Sequence, residues 1–215
     1  MSKSKELAHY ERIETFIPRN KKIAVLVSGG WDSACLWYMT KKICNARGQE
    51  CVPFTVPKID GAVHYAEQVL KVTCELLGIP TVQTTIVGRI DSENPSDYVT
   101  SGAEEIIYTG LADYLLNAKN AYPPNQRDMM PEGYPLPNDR YEPNEEAKKY
   151  VSHPFAEWTK DKTIQLGFDI GIAEHIMDIT HSCTELDRGR CNNCWWCKER
   201  EWGFKTIKKT DRGNN

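Results

Sequence analysis

The run Ile23-Ala24-Val25-Leu26-Val27 is five consecutive apolar residues, a pattern that predicts a short strand buried on both faces. It leads into Ser28-Gly29-Gly30-Trp31-Asp32-Ser33 and then Ala34-Cys35-Leu36-Trp37-Tyr38-Met39, which reads as strand, tight loop and helix. Residues 51–56 predict a second strand. Apolar positions at Val63, Ala66, Val69, Leu70, Cys74 and Leu77 then follow a helical period. Gly78 stops that helix and Pro80 follows it, so the β-branched residues 81–87 predict a third strand. A short helix over 94–103 leads to a fourth strand over 104–110, ending at Gly110. Strands alternating with helices predict an α/β fold: a three-layer, doubly wound, mainly parallel sheet with right-handed crossovers. Ligands of such sheets bind beyond the carboxyl ends of the strands. Val27 to Gly30, Val56 to Lys58 and Tyr108 to Gly110 are expected to meet there, and Leu26, Val27, Thr55, Val56, Thr109 and Gly110 are candidate cofactor-binding residues.

From Lys119 to Lys148 the texture changes, with Pro123, Pro124, Pro131, Pro135, Pro137 and Pro143 among Asn, Asp, Tyr and Met residues. A loop of this length is either a functional lid or disordered. Arg127 and Arg140 within it are candidates to clamp an anion, although a solvated loop arginine is the commoner outcome. Regular structure is expected to resume at 151–155, with helices from about Asp161 and over 172–179. Residues 1–215 are read as one domain, with 119–148 a Pro-rich loop and 181–204 a small C-terminal metal-binding segment.

Composition narrows the class. At 215 residues, 40% hydrophobic and 27% charged, the chain suits a soluble globular domain with a good core. A net charge of −3 and a pI near 6.0 argue against a general nucleic-acid surface. No apolar run reaches the length of a membrane span, and the first ten residues lack the apolar core of a secretory signal. The expected setting is the cytoplasm, with no membrane partner.

The loop after the first strand carries the clearest chemistry. Two glycines at the start of a helix turn backbone N–H groups inward, an anion cradle suited to phosphate or pyrophosphate. The loop lacks the Lys-Ser/Thr ending of a Walker loop and the glycine spacing of a dinucleotide fingerprint. Asp32, flanked by the hydroxyls of Ser28 and Ser33, is a candidate Mg²⁺ ligand.

Eight cysteines fall into two sets. Cys35, Cys44, Cys51 and Cys74 are scattered through regular elements and are expected to be small buried hydrophobes. Cys183-x7-Cys191-x2-Cys194-x2-Cys197 packs four thiols into 15 residues, the spacing of a closed structural zinc site. An iron–sulfur cluster competes, because Cys-x2-Cys-x2-Cys also begins a ferredoxin run. The isolated Cys183 and the missing Cys-Pro ending favour Zn²⁺. His181 is an alternative ligand, although a lone His beside such a cluster is more often a bystander. The Trp195-Trp196 pair inside the metal loop is either a partner patch or, more ordinarily, packing against the sheet.

The Ser28–Ser33 motif resembles the pyrophosphate loop (PP-loop) of the N-type ATP pyrophosphatases, whose fold is adenine nucleotide α-hydrolase-like. Together with the cysteine tail, and with Pro154-Phe155, Asp161-Lys162 and Ile179-Thr180-His181-Ser182-Cys183, it is similar to the 7-cyano-7-deazaguanine synthase family. The resemblance implies that Ser28, Gly29, Gly30, Trp31, Asp32 and Ser33 hold the phosphates of ATP. It implies Asp32, Ser33 and Lys162 as catalytic residues; Lys162 carries the Asp-Lys match, while Lys160 lies closer to the family's distance from the Pro pair. It further implies an ATP-dependent carbon–nitrogen ligase using Mg²⁺, and a homodimer. Such an enzyme turns 7-carboxy-7-deazaguanine and ammonia into the nitrile through adenylated intermediates. The family's segment that builds the deazapurine pocket is not recognisable after residue 110. A different 7-deazaguanine, a reaction stopping at the amide, and RNA thiolation or amidation therefore stand beside it, as does a non-catalytic zinc-stabilised nucleotide-binding protein.

Overall fold

The computed structural model describes residues 3–57, 61–88, 95–130 and 149–213, the side chains of 95–100 excepted. In chain order the elements are α1 (Lys3–Glu14), β1 (Ile23–Leu26), α2 (Trp31–Ala46), β2 (Cys51–Thr55), α3 (Ala62–Leu77), β3 (Thr85–Ile86) and α4 (Pro95–Tyr108). They continue with β4 (Tyr114–Leu116), a 3₁₀ turn (Gln126–Met129), β5 (Val151–Ser152), α5 (Lys160–Asp169), α6 (Ala173–Ile176) and α7 (Trp195–Thr206). The strands form one parallel sheet in the order β3-β2-β1-β4-β5, as the sequence class predicts.

β1 is the central strand and is buried throughout. Its side chains alternate between two cores with the period of two that a strand imposes. Ile23, Val25 and Val27 face a large core shared with α1, α2, α3, α5, α6 and α7. Ala24 and Leu26 face a smaller one closed by Ala103 and Ile106 of α4. Glycines at several points let helices approach their neighbours closely. A Cβ on Gly102 would lie 2.5 Å from Val56, and one on Gly167 would lie 2.5 Å from the Trp31 ring.

Two predicted elements are corrected. Residues 104–110 are not a strand: α4 runs through them to Tyr108. Ala103 and Ile106 are buried while Glu104 and Glu105 are exposed, which is a helical and not an alternating pattern. Gly110, at φ 72°, closes the helix. The Gly110 N–H donates to the Ile107 carbonyl at 3.2 Å and the Leu111 N–H to Ile106 at 3.0 Å, the paired bonds of a Schellman end. The fourth strand is instead β4, whose Tyr114 sits level with Ile23 at the start of β1. The third strand is also shorter than predicted, because β2 offers only Phe54 and Thr55 as partners for Thr85 and Ile86. Cys35, Cys44, Cys51 and Cys74 are buried free thiols, as expected.

Candidate functional site

Beyond the carboxyl end of β1 the chain turns through Ser28, Gly29 and Gly30 into α2. Gly29 has φ 77°, and a Cβ there would sit 2.3 Å from Tyr65 Cβ, so glycine is required twice over. Gly30 occupies the N-cap of α2 in extended backbone. The Ser33 hydroxyl lies 3.2 Å from that of Ser28 and donates to the Gly30 carbonyl at 3.0 Å; the Ser28 N–H donates to the same Ser33 oxygen at 3.2 Å. These bonds curl the loop around the helix N-terminus, where the orphan N–H groups and the dipole favour an anion. Trp31 points the other way. It is 1% exposed and its indole N–H donates to the Thr163 carbonyl at 2.9 Å, a core anchor for the loop.

Asp32 is engaged on both oxygens. Thr163 donates its hydroxyl to Oδ1 at 2.5 Å, and the Lys160 ammonium pairs with Oδ2. Lys160 is the first residue of α5, where a cation opposes the helix dipole. The carboxylate of Asp32 offsets that, and Glu199 on α7, fully buried, lies 3.8 Å from the same ammonium. Lys162, the residue carrying the Asp-Lys match, is exposed and points away; Lys160 is the lysine at the loop.

The remaining sequence candidates divide. Leu26 and Val27 are core residues leading into the loop. Thr55 and Val56 reach the same sheet edge, but the Thr55 hydroxyl donates to the Val27 carbonyl at 2.8 Å and Val56 packs into the smaller core. Thr109 and Gly110 do not reach it. They end α4, just before β4 starts beside Ile23, and so stand at the opposite edge of the sheet.

The four tail cysteines converge. The sulfurs of Cys183, Cys191, Cys194 and Cys197 all lie within 4.8 Å of one another, with Cys191 and Cys197 4.0 Å apart. Backbone N–H groups of Asn193 and Cys194 donate to the Cys191 sulfur at 3.4 and 3.2 Å. Cys194 caps α7 and Cys197 lies in its first turn. A hydrogen bond from Cys197 holds the Cys194 thiol down to about 4, and the Cys197 thiol is driven up in return. This buried group could hold a zinc ion. His181 is not part of it: its ring stacks on Tyr65 at 4.3 Å and its Nε2 meets the Leu186 carbonyl at 2.9 Å. Trp195 is buried and Trp196 packs against the cysteines, so neither forms an exposed patch.

The cysteine segment lies against the loop. The His181 N–H donates to the Gly29 carbonyl at 3.0 Å, and the Asp187 carbonyl would meet a Cβ on Gly61 at 2.9 Å. From the Pro-rich stretch, Ala121 bonds to the Trp158 carbonyl at 2.8 Å and Tyr122 sets its ring edge on Trp195. Arg127 is exposed. Lys58, Arg140, Pro131, Pro135, Pro137 and Pro143 lie outside the described residues. Sequence reasoning did not single out Thr163, Glu199 or Tyr65, none of which lies in a motif. Among the described residues no helix is long and apolar enough to cross a membrane.

A parallel sheet of this order, with a glycine-bent loop passing from β1 into α2, is a doubly wound α/β fold with an anion-type loop at the carboxyl end of its central strand. The chain belongs to the family described as queuosine biosynthesis protein QueC, which it matches over residues 101–208. The matched span holds Lys160, Thr163, Glu199 and the four cysteines, and lies beyond the Ser28–Ser33 loop. In fold the chain is similar to the U34-tRNA thiolase NcsA from Methanococcus maripaludis, solved with its 4Fe–4S cluster. Identity is 14%, coverage 96% of this chain and 74% of that one, and TM-score 0.51. It also aligns with the NAD⁺ synthetase from Burkholderia pseudomallei at 13% identity, 95% and 85% coverage and TM-score 0.43. No curated protein sequence matches it.

Proposed function

We propose that this protein makes a nitrile on a 7-deazaguanine at the expense of ATP, taking 7-carboxy-7-deazaguanine and ammonia to 7-cyano-7-deazaguanine. The observation that carries the reading is the bond from His181 to Gly29, by which the QueC-type tail is joined to the phosphate-type loop. The carboxylate oxygen of the substrate attacks the α-phosphorus of ATP and pyrophosphate leaves. Ammonia then attacks the acyl carbon, loses a proton and expels AMP, giving the amide. The amide oxygen attacks the α-phosphorus of a second ATP, a second pyrophosphate leaves, and loss of the two nitrogen protons with departure of AMP leaves the nitrile.

The chain's part in both activations is to stabilise charge on departing pyrophosphate. Ser28, Gly29, Gly30 and Ser33 offer N–H and hydroxyl groups at the α2 N-terminus, already organised by the Ser28–Ser33 bonds. Lys160, from α5, supplies the cation. Asp32 holds that ammonium in place, and both its oxygens are in use. Mg²⁺ bound with ATP would offset the charge of the phosphates, and Asp32 would be open to ligate it only where Lys160 has released its carboxylate.

The cysteine group fits zinc in a structural role. Thiolates around one ion at about 2.3 Å stand roughly 3.8 Å apart. The sulfurs here are near that spacing, whereas a four-iron cluster needs its thiolates spread around its own iron–iron edges. That spacing also weighs against transferring to this chain the cluster of the thiolase neighbour. Four protein ligands leave no open position for water, so the ion's contribution is to fold the tail.

The test is direct. Protein, ATP, Mg²⁺, ammonium and 7-carboxy-7-deazaguanine are incubated, and AMP and nitrile are followed by mass spectrometry. AMP formation that depends on the deazaguanine supports the reading, and its absence overturns it. Accumulated amide without nitrile assigns the enzyme to the first half-reaction alone.

A further inference from the structure

Glu199 is a carboxylate near the loop that neither the sequence reading nor the proposed chemistry uses. It lies fully buried on α7, two residues beyond Cys197, and its Oε2 is 3.8 Å from the Lys160 ammonium. α7 packs against α5 along this face. Gly203, one turn further on the same face, would put a Cβ 2.9 Å from Lys160 Cγ and 2.7 Å from Ile164 Cδ1. The next residue, Arg200, is fully committed elsewhere. Its guanidinium bonds to the carbonyls of Thr180 and Met177 at 2.8 and 3.0 Å and to Asp211 at 2.9 and 3.1 Å. Arg200 therefore locks the rotation of α7 about its axis, and that rotation aims Glu199 at Lys160.

A buried cation needs a counter-charge within reach at every stage of its motion. With Asp32 alone, moving Lys160 from the carboxylate to an incoming phosphate would strand the ammonium part-way. Glu199 gives it a second carboxylate, longer and weaker than the Asp32 contact, on the side facing α7. We propose that Glu199 is a positioning residue that retains Lys160 in the site while Asp32 releases it, so that the ammonium can turn to the phosphates of ATP. Because Glu199 lies two residues after Cys197, the start of α7, which the cysteine group would anchor through its ion, sets where that ammonium stands. The inference rests on the reading of the Ser28–Ser33 loop as the ATP site.

Two measurements test it. The first is ATP binding by isothermal titration with Mg²⁺ and no deazaguanine, on wild type, Glu199→Gln and Glu199→Asp. Glu199→Gln is expected to bind about tenfold more weakly with an unfolding temperature close to wild type, and Glu199→Asp to recover part of the loss. Equal affinity in wild type and Glu199→Gln overturns the role of Glu199. So does a loss that follows a fall in unfolding temperature and is not recovered by aspartate. A wild type that does not bind ATP overturns the loop reading and, with it, any role of Glu199 in ATP binding. The second measurement needs no nucleotide: a denaturant cycle of Glu199→Gln, Lys160→Met and the double variant. Coupling is expected, the double variant departing at least fivefold in its folding constant from the product of the singles. Additive effects overturn the Glu199–Lys160 contact itself.

Discussion

The His181 backbone N–H donates to the carbonyl of Gly29 at 3.0 Å, and this bond joins two segments separated by 152 positions in the chain. Gly29 sits at φ 77°, and Tyr65 leaves no room there for a Cβ. The ring of Tyr65 in turn stacks on the His181 ring. Loop, α3 and the start of the cysteine segment thus brace one another.

Gly29→Ala tests the brace. A new Cβ would meet Tyr65 Cβ at 2.3 Å and would need a left-handed backbone. The expected cost is about 2–4 kcal/mol, from backbone strain and overpacking together, read by denaturant unfolding. AMP formation should fall further than the loss of folded protein accounts for, because the N–H groups of the cradle move with Gly29.

The two lysines of α5 separate cleanly. Lys160→Met should lower AMP formation by about 10²-fold, as expected for removing one preorganised charge partner of a departing oxyanion. Lys162→Met should leave the rate within a factor of about two, since Lys162 is exposed and an exposed substitution of this kind changes little. Equal effects of the two would remove Lys160 from the site.

Metal content is the third expectation. Purified protein should be colourless and carry one zinc per chain by elemental analysis. Stripping it with a strong chelator should unfold the segment from Cys183 and fray the start of α7, seen as lost helical circular dichroism. Cys194→Ser should do the same, since Cys194 is both a ligand candidate and the α7 cap. A brown protein with broad visible absorbance would point instead to an iron–sulfur cluster.

Alkaline stability follows from buried neutral acids. Burial raises the Tyr10 hydroxyl, with Tyr38 and Glu6 adding to it, and burial beside Asp32 raises the Cys35 thiol. Their unfolded values are roughly 10 and 8.5. Folding therefore keeps protons that the unfolded chain gives up, so stability is full below about pH 8.5, falls above it through Cys35 and falls more steeply past about pH 10 as Tyr10 joins. Tyr10→Phe should flatten the alkaline limb of a denaturant series; an unchanged limb would show that Tyr10 does not contribute.

Much of the active edge was legible because it is local. The apolar run of β1 and the glycine pair after it constrain one short backbone path, and the Cys-x2-Cys spacings direct neighbouring thiols at one point whatever surrounds them. The segment 104–110 was misread for a related reason. Ile106-Ile107-Tyr108 before a glycine is as good a strand ending as a helix ending, and only the packing of Ala103 and Ile106 onto the sheet resolves it. Thr109 and Gly110 moved to the far edge with that correction.

The amino-acid sequence by itself determined the parallel α/β class, the phosphate-type loop at Ser28–Ser33 and the four-cysteine tail, because each is written in residues close together in the chain. It could not choose between Lys160 and Lys162. Two residues on a helix are separated by about 200° around its axis, so one faces inward when the other faces out. Which one faces Asp32 was decided by α5 packing between α2 and α7, where Trp31 bonds to the Thr163 carbonyl and Gly203 admits the Lys160 stem. The same packing brought Glu199 to that ammonium, a contact between residues 39 positions apart that only the folded chain creates.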